Sequence, residues 1–284
     1  MRFKPVWKPL LCKPVIDRLL KAKGREEIVK ISLDLGRGLH KCVIRGEGVI
    51  IDDQLIRWEE LERASKRERD IFMVIDGKLS SLSLSGRHFY KLVFVSWGRP
   101  PTLEIDGIHM HRIKDITPDE DAWMKVKLCG GLRCKRVLDT CMGLGYTAIT
   151  ALKMGACNIV TVEIDENVVE LARLNPWSRE LEDEKIDFRL GDIMDLIEEF
   201  KEEFDAIIHD PPRFSLAGQL YGLEFYKRLN KALKRHGKLV HYVGQPGIAR
   251  GRAIWKGVLK RLRETGFDVR YDENSRCVYG VKRR

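Results

Sequence analysis

No apolar run in this 284-residue sequence approaches the roughly 18 residues that a membrane-spanning helix needs, which excludes such a span. The basic opening Met1-Arg2-Phe3-Lys4 has no adequate apolar stretch behind it, so a secretory signal is not indicated and a cytoplasmic protein is expected. The seven cysteines are odd in number and scattered, with no Cys-x-x-Cys pair. Cys129 and Cys134 stand apart from other soft ligands, so neither a zinc centre nor a disulfide framework is indicated. Reduced, mostly buried thiols are expected, and no metal. Internal repeats and low-complexity tracts are absent too.

What is present is a globular composition, 44% hydrophobic and 33% charged. The length suits one large domain, or a core domain with a smaller companion. Net charge is +10, and its distribution is uneven. Residues 1–116 carry 23 lysines and arginines against 16 acids, residues 117–217 carry 12 against 21, and residues 218–284 carry 17 against 5. Clustered basic charge concentrates polyanions through counterion release, so RNA or DNA is the expected partner. The alternative is a solvated, salt-bridged surface with no partner.

Along the chain, residues 1–29 are predicted as a basic arm with a short helical stretch near Ile16–Leu20. Residues 30–116 have mostly two-residue periodicity and are predicted as a small β-rich domain that contacts RNA. Its strands are expected at 31–35, 41–51 (interrupted at Gly46-Glu47-Gly48), 71–75, 79–84, 88–95 and 103–113, with a hairpin turn at Asp76-Gly77 and a helix at 58–64. From residue 117 to 284, strands and helices alternate, which implies a parallel sheet. Strands are predicted at 136–141, 158–164, 186–190, 204–209 and 238–243. Helices are predicted at 146–154, 166–174, 193–200, 222–235 and 250–265. A closing hairpin (267–271 and 277–281) adds one antiparallel strand.

Asp139-Thr140-Cys141-Met142-Gly143-Leu144-Gly145 follows the first of these strands and opens a helix. Such glycines let the backbone turn tightly and approach a ligand beside free helix N–H groups. No Lys-Ser/Thr pair follows them, which argues against a nucleotide triphosphatase. The next strand ends in Glu163 about twenty residues later, where ribose hydroxyls are bound in nucleotide-type folds. Asp165 is the weaker candidate, because it also suits a helix cap. A third strand ends at Gly191-Asp192, where Asp192 either accepts from an adenine amino group or caps the following helix. Ile164 and Ile193 flank these two acids. A fourth strand ends in His209-Asp210-Pro211-Pro212.

This series of acidic strand ends resembles the class I S-adenosylmethionine-dependent methyltransferases over roughly residues 120–284. The resemblance implies an α/β, Rossmann-like sheet with S-adenosylmethionine as cofactor. It further implies that Asp139–Gly145, Thr140 included, holds the methionine moiety, with Glu163 and Ile164 at the ribose and Asp192 and Ile193 at the adenine.

Asp210-Pro211-Pro212-Arg213 resembles the Asp/Asn-Pro-Pro-aromatic motif of methyltransferases acting on exocyclic amines of nucleobases. The Asp210 carboxylate and the Pro211 carbonyl are both acceptors, and the prolines fix the carbonyl's direction. Together they can hold two N–H groups of an amine and aim its lone pair at the cofactor's methyl group. The motif's aromatic position is occupied here by Arg213, with Phe214 one residue later. Either Phe214 stacks on the base, or Arg213 stacks or binds phosphate. Tyr242, near a strand end, is a further substrate candidate. His209 either shuttles a proton or is structural. His109-x-His111 would point both rings to one face of a strand, but no carboxylate or cysteine partner is evident, so a metal role is disfavoured.

His209–Ser215, Leu174-Asn175-Pro176-Trp177-Ser178 and His241-Tyr242-Val243-Gly244 also resemble a group of predicted archaeal methyltransferases. That group includes makers of N4,N4-dimethylcytidine in ribosomal RNA. The resemblance implies an RNA amino-methyltransferase. Two rivals are a polyamine aminopropyltransferase using decarboxylated S-adenosylmethionine and a non-catalytic RNA-binding ribosome-assembly factor. Oligomeric state and the modified nucleotide are not readable from the sequence.

Overall fold

The computed structural model describes residues 2–244 and 254–283. The chain divides into two compact units: Lys4–Pro118 with Asn167–Arg179, and the described residues of Met1–Phe3, Asp119–Glu166 and Glu180–Arg284.

The first unit is β-rich. Its elements are β1 (Leu10–Cys12), α1 (Lys13–Lys21), β2 (Ile28–Ile31), β3 (His40–Arg45), β4 (Gly48–Ile51), β5 (Gln54–Arg57), α2 (Trp58–Ser65), β6 (Ile71–Ile75), β7 (Lys78–Ser81), β8 (Ser83–Ser85), β9 (Phe89–Val93), β10 (Thr102–Ile105) and β11 (Ile108–His109). They form three sheets ordered β2-β3-β4-β5, β1-β6-β7 and β11-β10-β9-β8. Asp76 and Gly77 take φ of 48° and 72°, the paired positive values that a two-residue type I′ hairpin needs. Asp106 and Gly107 do the same at 48° and 77°. The single strand expected over 103–113 is therefore a second Asp-Gly hairpin, β10–β11. Residues 4–29, expected as a basic arm with a short helical stretch, pack into this unit. They supply β1 and α1, and Leu10, Leu11, Ile16 and Leu19 are almost fully buried. Pro14 in the first turn starts α1, and its apolar positions share one face, so burial of that stripe outweighs the basic composition.

The second unit is built on one seven-stranded sheet. In chain order its elements are α3 (Pro118–Val126), β12 (Arg136–Asp139), α4 (Tyr146–Lys153), β13 (Asn158–Glu163), α5 (Glu166–Leu174), β14 (Ile186–Leu190), α6 (Ile193–Leu196), β15 (Phe204–His209), α7 (Leu223–Ala232), β16 (Leu233–Tyr242), α8 (Ile254–Glu264), β17 (Phe267–Asp272) and β18 (Cys277–Lys282). Strand order is β14-β13-β12-β15-β16-β18-β17. The first five strands are mutually parallel, and β18 runs antiparallel to β16 and β17. This is the α/β Rossmann-like sheet expected from the sequence. Most of α5 (Asn167–Leu174) belongs with the first unit.

Some boundaries differ from expectation. Helix α7 ends at Ala232, because Leu233 is fully buried and pairs with Phe204 at the start of an early β16. A register shift between Phe204 and Ala206 and a positive φ at His236 absorb the added residues. Only one turn of the 193–200 helix is α-helical; a 3-10 turn, Ile197–Glu199, completes it. The expected helix start at 250 lies outside the described residues.

The core of this unit packs Leu138, Val160, Val162, Ile207 and Leu239 of the central strands against Ile193, Phe225, Leu229, Val258 and Leu262 of the helices. Each such buried side chain stabilises by about 1.5–3 kcal/mol. That rigid layer sets the carboxyl ends of β12, β13, β14 and β15 side by side, where open α/β sheets bind ligands.

Candidate active site

The glycine turn is tied down on both sides. Thr140 N–H donates to Ile208 O of β15 (3.0 Å) and Met142 N–H to Val162 O of β13 (2.7 Å). Gly143 and Gly145 have φ of 54° and 79°, a region that L side chains rarely adopt. Their surroundings differ. A Cβ on Gly145 would lie 2.5 Å from Leu181 Cδ1, whereas one on Gly143 would meet nothing within 4 Å. Gly145 serves packing, and Gly143 borders open space.

Asp139 is fully buried beneath this turn. Its two oxygens accept from Thr147 Oγ1 of α4 (2.9 Å) and Thr161 Oγ1 of β13 (2.7 Å). Burial pushes its pKa up to about 7 against the pull of the two threonine hydroxyls. Asp139 thus braces the turn from behind. Thr140 is likewise buried. The side chains of both residues are thus engaged within the fold.

Glu163 reaches back to the turn. Its Oε2 accepts from Gly143 N–H (2.9 Å), and its Oε1 accepts from Ile164 and Asp165 N–H (2.9 and 3.0 Å). Burial raises its pKa to about 7, and those backbone donors pull the other way. A carboxylate has about four acceptor positions, so one remains for a hydroxyl. Ile164 beside it is 64% exposed, an apolar side chain standing free at a strand end. Asp192 caps α6 by accepting from Met194 N–H at Oδ1 (2.8 Å), which leaves Oδ2 without a partner among the described residues. Ile193, behind it, is buried in the core. The cap does not displace the adenine reading, because the second oxygen is still available.

At the end of β15 the structure adds two residues that the sequence did not single out. Lys125 of α3 is 2% exposed, and its Nζ lies 2.7 Å from Asp210 Oδ2 and 2.8 Å from Asp121 Oδ2. The Tyr242 ring covers the ammonium, 4.0 Å from its centroid. Burial acts to discharge Lys125, but Asp210 and Asp121 outweigh it and hold the group charged, above the ordinary lysine range. Burial likewise raises Asp210, while Lys125 opposes it. Asp210 keeps 18% of its side-chain surface, and its Oδ1 has no partner among the described residues. Asp121 and Lys125 stand four apart on one helix, the only hint in the sequence, and such a pair ordinarily signals a solvated face.

His209 and His241 lie beneath the Asp-Pro-Pro. His209 Nδ1 is 2.7 Å from Thr140 Oγ1 and Nε2 is 3.0 Å from Leu220 O. Since a carbonyl only accepts, Nε2 carries the proton and the Thr140 hydroxyl donates to Nδ1. The ring is fully buried, and that burial lowers its pKa to about 4. A neutral, buried histidine with both nitrogens engaged favours the structural role for His209 over the proton shuttle. By the same logic His241 Nδ1–H donates to His209 O (3.3 Å) and Nε2 accepts from Tyr226 Oη (3.0 Å).

The prolines sit on this base. Tyr221 Oη donates to Pro212 O (2.9 Å), so that carbonyl is engaged. The Pro211 carbonyl accepts no hydrogen bond among the described residues. Phe214 is 50% exposed, with its ring 5.4 Å from that of Tyr221 at 78°. Arg213 is exposed beside it. Burial, with the charges of Glu163, Asp139 and Asp210, drives the Cys141 thiol well above its ordinary pKa.

Elsewhere, His109 Nε2 pairs with Glu104 Oε2 (3.0 Å) and His111 Nδ1 with Thr102 Oγ1 (3.0 Å). Among the described residues no group of three His, Cys, Asp or Glu could hold a metal ion, and no helix is long and apolar enough to cross a membrane.

Residues 136–272 match the model of the Spermine/spermidine synthase domain family. Asp121 and Lys125 lie outside that span. The chain is 42% identical over 275 residues to Uncharacterized protein MJ1233 of Methanocaldococcus jannaschii, covering 95% of this chain and 94% of that one. It is 36% identical over 101 residues to Ribosomal RNA large subunit methyltransferase I of Photobacterium profundum, but covers 34% of this chain and only 25% of that protein. A crystal structure of spermidine synthase in complex with the transition-state analogue AdoDATO superposes with a TM-score of 0.56 at 21% identity, covering 70% of this chain and 72% of that one. At that identity the likeness shows the Rossmann-like fold and nothing finer.

Proposed function

We propose that this chain, which belongs to the same family as MJ1233 of Methanocaldococcus jannaschii, transfers a methyl group from S-adenosylmethionine to the exocyclic amine of a nucleobase in RNA. The leading target is N4 of cytidine in ribosomal RNA. One observation carries this reading: Asp210 Oδ1 and the Pro211 carbonyl are two unoccupied acceptors, held rigid at the strand end beside the glycine turn.

The residues present suit the cofactor. Gly143 leaves room where a side chain would intrude, Ile164 offers an apolar face, and Glu163 and Asp192 each retain an acceptor. When bound, S-adenosylmethionine supplies a methyl group on a positively charged sulfur. The chain's own task is to orient the amine and exclude water. Asp210 and Pro211 accept the two N–H groups and so direct the nitrogen lone pair away from themselves. Lys125 fixes the carboxylate plane through Oδ2, and Tyr221 and the buried histidines fix the prolines. Phe214 and Arg213, both exposed, are placed to meet the base or its phosphate. The basic N- and C-terminal portions supply the polyanion affinity.

A second reading is aminopropyl transfer to a polyamine, favoured by the match to the Spermine/spermidine synthase domain. One experiment separates the two. Purified protein is incubated with methyl-labelled S-adenosylmethionine and ribosomal RNA, and in parallel with decarboxylated S-adenosylmethionine and spermidine. Mass spectrometry of digested RNA should show a methylated cytidine. An aminopropylated polyamine with unlabelled RNA would support the second reading instead.

A further inference from the structure

Lys125 has a consequence for which amine the site accepts. The ammonium is buried between two carboxylates, so the cluster Asp121–Lys125–Asp210 carries one net negative charge. Asp121 is almost sealed, at 1% exposure, and only Asp210 reaches surface, at 18%. A ligand at Asp210 Oδ1 therefore meets a carboxylate whose other oxygen is already neutralised at 2.7 Å. One uncompensated charge matches the single positive charge that a sulfonium brings. It leaves nothing to stabilise a second cation, which a low-dielectric site penalises heavily.

We propose that Lys125 is a specificity-determining positioning residue that tunes the acceptor site for an uncharged, conjugated amine and against an alkylammonium. This rests on the reading of Asp210 as the residue that holds the acceptor amine. Two effects act together. The bond to Oδ2 fixes the carboxylate so that Oδ1 faces the acceptor, and the positive charge cancels the attraction that would otherwise draw a polyamine in. A conjugated exocyclic amine is neutral at physiological pH and needs acceptors, not counter-charge. A polyamine nitrogen arrives protonated and needs both.

The test uses the full chain saturated with sinefungin, an S-adenosylmethionine analogue that carries an ammonium in place of the sulfonium, and two probes, spermidine and cytidine, titrated at low salt by calorimetry. Lys125→Met removes the charge. Asp121→Asn changes the charge the other way, leaving the cluster neutral with Lys125 still paired to Asp210, and so remains informative if Lys125→Met unfolds. Spermidine affinity should rise about tenfold or more in Lys125→Met, whose cluster carries two net negative charges, and fall in Asp121→Asn, whose cluster is neutral, in each case by more than any change in cytidine affinity. A change in the ratio of the two affinities is something that a merely structural lysine would not produce. Tight spermidine binding by the wild-type protein, or an unchanged ratio in both variants, overturns the proposal. If the ratio changes as expected but no RNA is ever methylated, Lys125 still selects by charge and the RNA reading alone falls.

Discussion

Asp139→Asn tests the buried brace under the glycine turn. Asp139 has no exposed surface, and burial raises its pKa from 3.8 to about 7. A carboxylic acid whose folded pKa lies above its unfolded value binds more protons when folded. The resulting cost to stability is absent below the unfolded pKa, grows as pH rises, and is complete above the folded pKa. With about 1.36 kcal/mol per pKa unit, wild type should lose roughly 2–3 kcal/mol from this group between pH 5 and pH 8. Asparagine does not titrate. It can accept from one threonine and donate to the other hydroxyl, which can rotate. Urea unfolding of both proteins at pH 5 and pH 8 should show the variant gaining that amount on wild type as pH rises. Glu163 titrates in the same range and its charge raises Asp139, so both proteins are compared in a Glu163→Gln background. A difference independent of pH would mean that Asp139 is ionised throughout, and the burial argument would fail.

Gly145→Ala should destabilise by more than about 2 kcal/mol, since it combines a left-handed φ with a clash on Leu181, and thermal melting will report it. Gly143→Ala, equally left-handed but in open space, should cost only about 1–2 kcal/mol of stability yet weaken S-adenosylmethionine binding at least tenfold by calorimetry. Equal effects at the two positions would contradict the division between packing and ligand approach. Tyr221→Phe, which frees the Pro212 carbonyl, should lower methyl transfer about fivefold with unchanged cofactor affinity. A loss of cofactor binding instead would place Tyr221 in the wrong half of the site.

Much of the sheet was legible because period and length separate strands from helices there: β13, β14, β15, α4 and α5 lie within a residue of their predicted limits. The acidic strand ends were legible for the same reason, since each terminates an apolar run. Their orientation was not. Asp139 and Glu163 look alike in sequence, yet one is sealed behind the turn and the other folds over it, a difference set by Thr147, Thr161 and the backbone donors. His209 was ambiguous because only Thr140 and Leu220, distant in sequence, decide which nitrogen carries its proton. Lys125 was missed outright. Its partner Asp210 lies 85 residues away, and an acidic helix with one lysine looks solvated until the fold buries it. In the first unit, Asp106-Gly107 was a readable turn signal overridden by the apolar flanks of 103–113. The amphipathic stripe of α1 was obscured by its basic neighbours.

The central claim is that Asp210, with Pro211, positions an amine for methyl transfer. Asp210→Asn keeps the shape, loses the charge and can turn a donor toward the amine. With saturating S-adenosylmethionine and ribosomal RNA, single-turnover transfer should fall by at least about 100-fold, near 2.7 kcal/mol of transition-state stabilisation, while cofactor affinity is retained. Transfer at close to the wild-type rate would contradict the account and leave the Asp-Pro-Pro as a rigid turn.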